Sequence, residues 1–379
     1  MKRSSVISTK IMILFFSAMI LNGCGVDETP PELPDIEYKL VITDSIGVEI
    51  GEDEYMFAWP ENPTHSPDGD ILVIDRLKHT VFVYTSDGEF VRTIGREGEG
   101  PGEFRLPSGL AFYSDGSLLI GDADGISLFD SSYEYQEQLT WSGFGKPWLK
   151  TAVDSGGFIG TEMTMMPGEN GIEIISTLGR WDGEGEPSVE YFSVESEFNP
   201  EDREIDRTES RGNNIISCAT RTGRVFYSRS SIDEFVIHGC ELDGTEFLLI
   251  EDLAAHRVRK NDEDLQAEMD AWNSLIRLMR GDSSTGKPVK LDPYRRIITE
   301  MFIDGEDRLW VRLGNYTGIV FRVYDMSGDI LFHAMVEYAG NPADLNSWEI
   351  TGDEHGFLAN NTSHEYYHRI YMLTMVDAE

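Results

Sequence analysis

Cysteine is scarce in this chain, with three residues in 379, at positions 24, 218 and 240. Basic residues are few beside the acids: 31 lysines and arginines face 68 aspartates and glutamates, for a formal charge of −37 at neutral pH. A surface of that sign repels phosphate backbones and anionic headgroups, which excludes nucleic acid as a partner and adsorption to a membrane through charge. Helical periodicity is nearly absent, which excludes a helical bundle. The one long apolar run, residues 11–21, is too short to cross a hydrocarbon core of roughly 30 Å as a helix. Familiar catalytic signatures are missing as well. Residues 95–102 are glycine-rich, but no Lys-Ser or Lys-Thr follows, so they are not a phosphate loop. There is no Gly-x-Ser-x-Gly elbow. Of the eight histidines, His364 and His368 are four apart, but they fall in a loop and a strand rather than on one helix face, so no zinc pair is expected.

What is present begins with the leader. Lys2, Arg3 and Lys10 form a basic segment ahead of the apolar run, as in a secretory signal. Leu21-Asn22-Gly23-Cys24 then resembles the bacterial lipobox. That resemblance implies diacylation of the Cys24 thiol, cleavage before it and acylation of the new amine. Residues 25–35 are small, acidic and proline-bearing, a composition that stays extended and serves as a tether. Gly25 in place of aspartate resembles lipoproteins passed on to the outer membrane. The expectation is a leader over 1–23, a lipidated tether over 24–36 and a folded body over 37–379, lipid-anchored in a bacterial envelope.

The body is built from short β-rich runs separated by Gly and Asp turns. The clearest unit spans residues 71–94: Ile71-Leu72-Val73-Ile74-Asp75, Val81-Phe82-Val83-Tyr84, then Phe90-Val91-Arg92-Thr93-Ile94 after Ser86-Asp87-Gly88. The turn ahead of such a unit's second strand recurs at Asp68-Gly69, Asp115-Gly116, Gly156-Gly157, Thr222-Gly223, Asp304-Gly305 and His355-Gly356, six times in all. Repeats of about 40 to 50 residues with four strands each mark β-propeller blades. The matching turn between third and fourth strands occurs five times, at Asp87-Gly88, Ser131-Ser132, Asp182-Gly183, Asp243-Gly244 and Ser327-Gly328. The sixth blade lacks an outer strand, and a spare strand, Tyr38-Lys39-Leu40-Val41-Ile42, stands at the front. Its insertion into the last blade closes the ring and leaves no open edge. The expected fold is therefore all-β, a six-bladed propeller closed by an N-terminal strand.

Residues 95–104 and the following Leu106-Pro107-Ser108-Gly109-Leu110 resemble the NHL-type repeat, as do Asp304-Gly305 and Arg308-Leu309-Trp310-Val311-Arg312. The chain is similar to the broad group of bacterial six-bladed propeller lipoproteins, a resemblance that speaks to fold and hardly to function. Cys218 and Cys240 fall on the inner and third strands of blade four, two strand spacings or roughly 9–10 Å apart. A bridge needs less than about 7 Å, so two free thiols are expected.

In a propeller the connections between blades open onto one face, beside the central channel. The residues this chain places there are Trp59, Arg105, Lys146, Trp148, Arg211, Tyr294, Arg295, Arg296 and Trp348, with Arg76, Lys78 and His79 on neighbouring loops. Trp59, Arg105, Trp148, Arg211, Arg295, Arg296 and Trp348 are the candidate ligand-binding set, arginines for a carboxylate and tryptophans for stacking. The structural alternative is that the arginines pair with acids of neighbouring blades. One helix is expected over 262–280, with Leu265, Met269, Trp272, Ile276 and Met279 in an apolar stripe, Asn261 as its cap and Gly281 at its end. The stripe should pack on the propeller and partly cover the channel.

Two function classes follow. The first is a non-enzymatic binding or scaffold module, a monomeric propeller whose partner is a protein or a small anionic ligand and which requires no cofactor. The second is a propeller hydrolase or lyase resembling gluconolactonases or amidating lyases, with a divalent cation in the channel. No carboxylate or histidine set here matches those families' motifs. Asp122-Ala123-Asp124-Gly125 resembles part of a calcium loop but lacks the remaining ligands. The first class is preferred.

Overall fold

The computed structural model describes residues 29–378 except 142–144, 169–170, 200, 203, 209–213, 281–287, 341–344, 346 and 362–366. The leader, Cys24, Arg211 and His364 lie outside the described residues. The described residues form a six-bladed β-propeller with one inserted helix. Inner strands run Pro60–His65, Gly109–Phe112, Trp148–Ala152, Ile215–Ala219, Ile298–Ile303 and Trp348–Asp353 for blades one to six.

The closing strand lies where the count of turns requires it. Tyr38–Ile46 pairs antiparallel with Ile370–Asp377, from Tyr38 opposite Asp377 to Ile46 opposite Ile370. It also runs parallel to the outer strand of blade five, Ile330–Glu337, from Tyr38 opposite Ala334 to Val41 opposite Glu337. Blades five and six are thereby joined in one eight-stranded sheet.

Alternation along the strands explains the cores. In blade one Leu72, Ile74, Val81 and Val83 point towards blade two, whereas Ile71, Val73, Phe82 and Tyr84 point towards blade six. Both faces are covered, so the strands read as continuous apolar runs. Each of the six apolar clusters fills one interface between neighbouring blades, including the interface of blade six with blade one. Each fully buried large side chain contributes about 1.5–3 kcal/mol. Cys218 and Cys240 are both free. They belong to clusters on opposite faces of blade four, so alternation separates them in addition to the two strand spacings.

Most of the predicted turns owe their shape to glycine. Gly69, Gly116, Gly223 and Gly356 hold φ between 85° and 130°, a region open to glycine at little cost. Blade five differs. There Asp307 takes the left-handed position, at φ 55°, and Gly305 answers a packing need, because a Cβ on it would stand 2.3 Å from the Glu354 Cα.

Two connections carry insertions, between blades three and four and between four and five. They meet through the two-residue strands Ile205–Asp206 and Val289–Lys290, which pair in parallel. The second insertion contains α1, Asp262–Arg280. Asn261 caps it reciprocally: its Oδ1 accepts from the Asp264 backbone N–H at 2.7 Å and its own N–H donates to Asp264 Oδ2 at 3.2 Å.

Candidate functional site

All six inner strands border one central cavity of about 1420 Å³, and the first half of α1 lies over it. Three of those strands are irregular where they face it. Register shifts fall between Glu61 and Thr64, between Leu149 and Thr151 and between Ile298 and Glu300. Asn62, inside the first, holds φ at 49°. Bulges re-aim side chains, and these put Asn62, Lys150 and Thr299 on the cavity wall.

The charges on this wall are unevenly distributed. Blade three contributes Lys150. Blade six, opposite in a six-membered ring, contributes Glu349, and its neighbour, blade five, contributes Glu300. Lys150 and Glu349 are open to the cavity yet enclosed by the ring. Among the described residues neither side chain takes part in an ion pair within 4 Å. Enclosure away from bulk water pushes the Lys150 ammonium below its usual range, against the pull of Cys218, Glu349 and Glu300. Burial raises Glu349, helped by the charge of Glu61 and opposed by Lys150 and Arg312. Burial also pushes Glu300 up to about 7, although Arg312 and the Ile350 N–H draw it down. Glu300 Oε1 accepts from that N–H at 2.9 Å, and Oε2 stands 3.5 Å from Arg312 Nη1 without a well-formed hydrogen bond. Burial pushes the Cys218 thiol up to about 12, so it is no nucleophile near neutral pH. Blades two and four, on either side of blade three, present Leu110, Ile216 and Cys218.

Of the mouth residues expected from the sequence, Arg295, Arg296 and Trp348 border the cavity. Arg295 is engaged with the helix through an ion pair to Asp264 and donates to the Tyr316 carbonyl at 2.6 Å. Arg296 bonds the Ser230 hydroxyl of blade four. The Trp348 ring is 1% exposed and stacks on Tyr371 with centroids 4.4 Å apart, so it belongs to the interface of blades five and six and borders the cavity from within the wall. The others stand elsewhere. Trp59 is half-buried beside blade one, its backbone N–H donating to Asp75 Oδ1. Arg105, half exposed, pairs with Asp124 at 3.0 Å. Trp148 is 44% exposed at the start of the blade-three inner strand and does not border the cavity. Lys146 donates to the Asp122 carbonyl, Arg76 pairs with Glu61, Lys78 with Asp53, and His79 bonds the Arg105 carbonyl. Tyr294 lies beneath the Arg257 guanidinium.

α1 covers the cavity, but with its acidic side. Glu263, Asp264, Ala267 and Asp270 border the space, while Leu265, Met269 and Trp272 of the apolar stripe are only half-buried. Ile276 and Met279 have no described side chains. The helix is held by polar contacts: Asp264 with Arg295, Glu268 with Lys260, and the Arg207 guanidinium 4.9 Å from the Trp272 ring. At the far end of the channel the turns tie blades together. His65 of blade one bonds Asp353 of blade six at 2.9 Å, and Arg221 of blade four reaches Glu354 of blade six at 3.1 Å.

The sequence reading missed Lys150, Glu300 and Glu349, whose signal was a charge within an apolar inner strand, as in Leu149-Lys150, Glu300-Met301 and Trp348-Glu349-Ile350. A metal fits this wall poorly. Among the described residues no group of three or more His, Cys, Asp and Glu side chains is arranged to hold an ion, and Lys150 and Arg312 already share the space with the carboxylates.

A family profile described as a 6-bladed beta-propeller matches residues 65–141, in agreement with the class that the blades define. The search of curated proteins returned no match. Among solved structures the chain is similar to a protein of Bacteroides fragilis, at 11% identity and TM-score 0.47, covering 92% of this chain and 98% of the other. It is similar to virginiamycin B lyase of Staphylococcus aureus, at 13% identity and TM-score 0.43, covering 89% and 100%. It is also similar to the calcium-binding protein regucalcin of Agrobacterium tumefaciens, at 12% identity and TM-score 0.40, covering 88% and 94%.

Proposed function

We propose that this propeller is a binding module of the bacterial envelope, anchored in the outer membrane through lipid on Cys24, and that it takes a small carboxylate-bearing ligand into its central cavity. One observation carries the reading: among the described residues Lys150 lines the cavity without an ion pair, whereas Arg295, Arg312 and Lys260 are held by Asp264, Glu300 and Glu268. An ammonium enclosed by protein and opposed only by carboxylates beyond ion-pair distance is destabilised, and a ligand carboxylate in contact with it relieves it. The lyase or hydrolase reading needs a cation site that the wall residues do not assemble.

The test uses the full chain with Cys24→Ser. Metabolic labelling with a fatty-acid probe marks the parent and not this variant; equal labelling of both refutes the anchor. Calorimetry of the soluble variant then detects binding of N-acetyl-leucine, and the binding is lost in Lys150→Met. Equal binding by Lys150→Met removes the lysine from the site.

A further inference from the structure

The arrangement of charge around the cavity says more about the ligand than Lys150 alone. Blade three carries Lys150, which has no ion pair among the described residues. Opposite it stands Glu349 of blade six, flanked by Glu300 of blade five and Glu61 of blade one. Two of these acids have local partners: Glu300 faces Arg312 at 3.5 Å, and Glu61 faces Arg76 at 3.4 Å. Among the described residues Glu349 has no ion pair, and its side chain has a hydrogen bond from its buried register neighbour Asn360. The roof adds Glu263 and Asp270 above. Opposite Lys150 the wall carries both signs, with Arg295, Arg296 and Arg312 beside the acids, and Glu349 is the wall carboxylate there that has no ion pair among the described residues. Leu110 and Ile216, on the blades next to Lys150, add apolar surface.

We infer that the ligand is a small zwitterion, an α-amino acid or short peptide, with its carboxylate at Lys150 and its ammonium at Glu349. The inference rests on the carboxylate reading above and refines it. Three considerations favour a zwitterion over a simple anion. Lys150 and Glu349 act on each other across the cavity without forming an ion pair, so each has room for a closer counter-charge, which the two ends of one ligand supply. The ammonium end meets Glu349, a wall acid with no ion pair among the described residues, for which a plain anion offers no partner. A ligand of zero net charge also escapes the general repulsion of a chain carrying −37. The apolar flank beside Lys150 suits an aliphatic side chain next to the α-carboxylate.

The experiment compares three probes by calorimetry on the full chain with Cys24→Ser: leucine, N-acetyl-leucine, which lacks the ammonium, and leucinamide, which lacks the carboxylate. Leucine should bind at least tenfold more tightly than either derivative. Glu349→Gln should weaken leucine at least tenfold and leave N-acetyl-leucine within about twofold. N-acetyl-leucine binding as tightly as leucine overturns the zwitterion and leaves the carboxylate reading standing. Leucine and N-acetyl-leucine both failing to bind overturns both. The comparison of probes on the parent wall needs no substitution within it, so a Glu349 variant that fails to fold does not blunt the test.

Discussion

Glu300 shows how one residue in this wall carries a consequence for the whole fold. Its carboxyl is held at about 7 in the folded chain, above the ordinary glutamate value, because burial opposes its charge more than Arg312 favours it. Between the unfolded and folded values the native state binds more protons than the unfolded state, so stability falls as pH rises through that window. Glu349, raised in the same direction, adds to the slope. Urea unfolding midpoints should therefore decline from pH 5 to pH 8, and Glu300→Gln should flatten the decline. An unchanged slope in that variant would mean that the carboxylate is charged throughout. Such a residue was poorly legible in the sequence. Its neighbour in the strand order, Arg312, is distant by no motif, and the bulge that turns Thr299 and Glu300 appears only when the strands are paired. Trp348 shows the opposite case: it opens the inner strand of blade six, where a large ring gains more from burial against Tyr371 than from exposure at a mouth.

At the scale of elements, turns were the most legible feature because their shape demands particular residues. Asp304 in blade five shows the demand at its strongest. Its carboxylate accepts from the backbone N–H groups of Glu306 and Arg308 at 3.0 Å, and from Arg308 Nε and Trp310 Nε1 at 2.7 Å. Trp310 is fully buried, so its N–H has no water to turn to. Asp304→Ala strands that donor and frees the turn, at a cost of roughly 2–4 kcal/mol, the range expected for orphaned buried donors and a lost charged acceptor. Chemical denaturation would read the loss, and a change below about 0.5 kcal/mol would show that the turn is held by its backbone alone. The helix is the contrasting element. Its limits, Asp262–Arg280, and its cap were legible from periodicity and Asn261. Which side faces the cavity was not, because periodicity identifies an apolar stripe but cannot foresee that Asp264 and Arg295 anchor the helix from the polar side.

At the scale of the molecule, the ring depends on a strand from the other end of the chain. Tyr38–Ile46 satisfies the edge of Ile370–Asp377 and lies along Ile330–Glu337, with Leu40 fully buried in the cluster between blades five and six. Its place was predictable from counting, since five outer turns for six blades leave one strand owing. Its parallel pairing with blade five was not, because the count treats each blade as a separate sheet. That second pairing makes the strand a clasp across two blades, and the proposed lipid tether ends directly ahead of it. Leu40→Ala leaves the hydrogen bonds but opens a cavity in the clasp, and should cost about 2–5 kcal/mol. The loss should also be local before it is global. Amide exchange ought to quicken first in 370–377 and 330–337, while Leu118–Asp122, across the ring, keeps its protection. Uniform acceleration in all blades would instead mean that the ring unfolds as one unit and that the clasp has no separate opening.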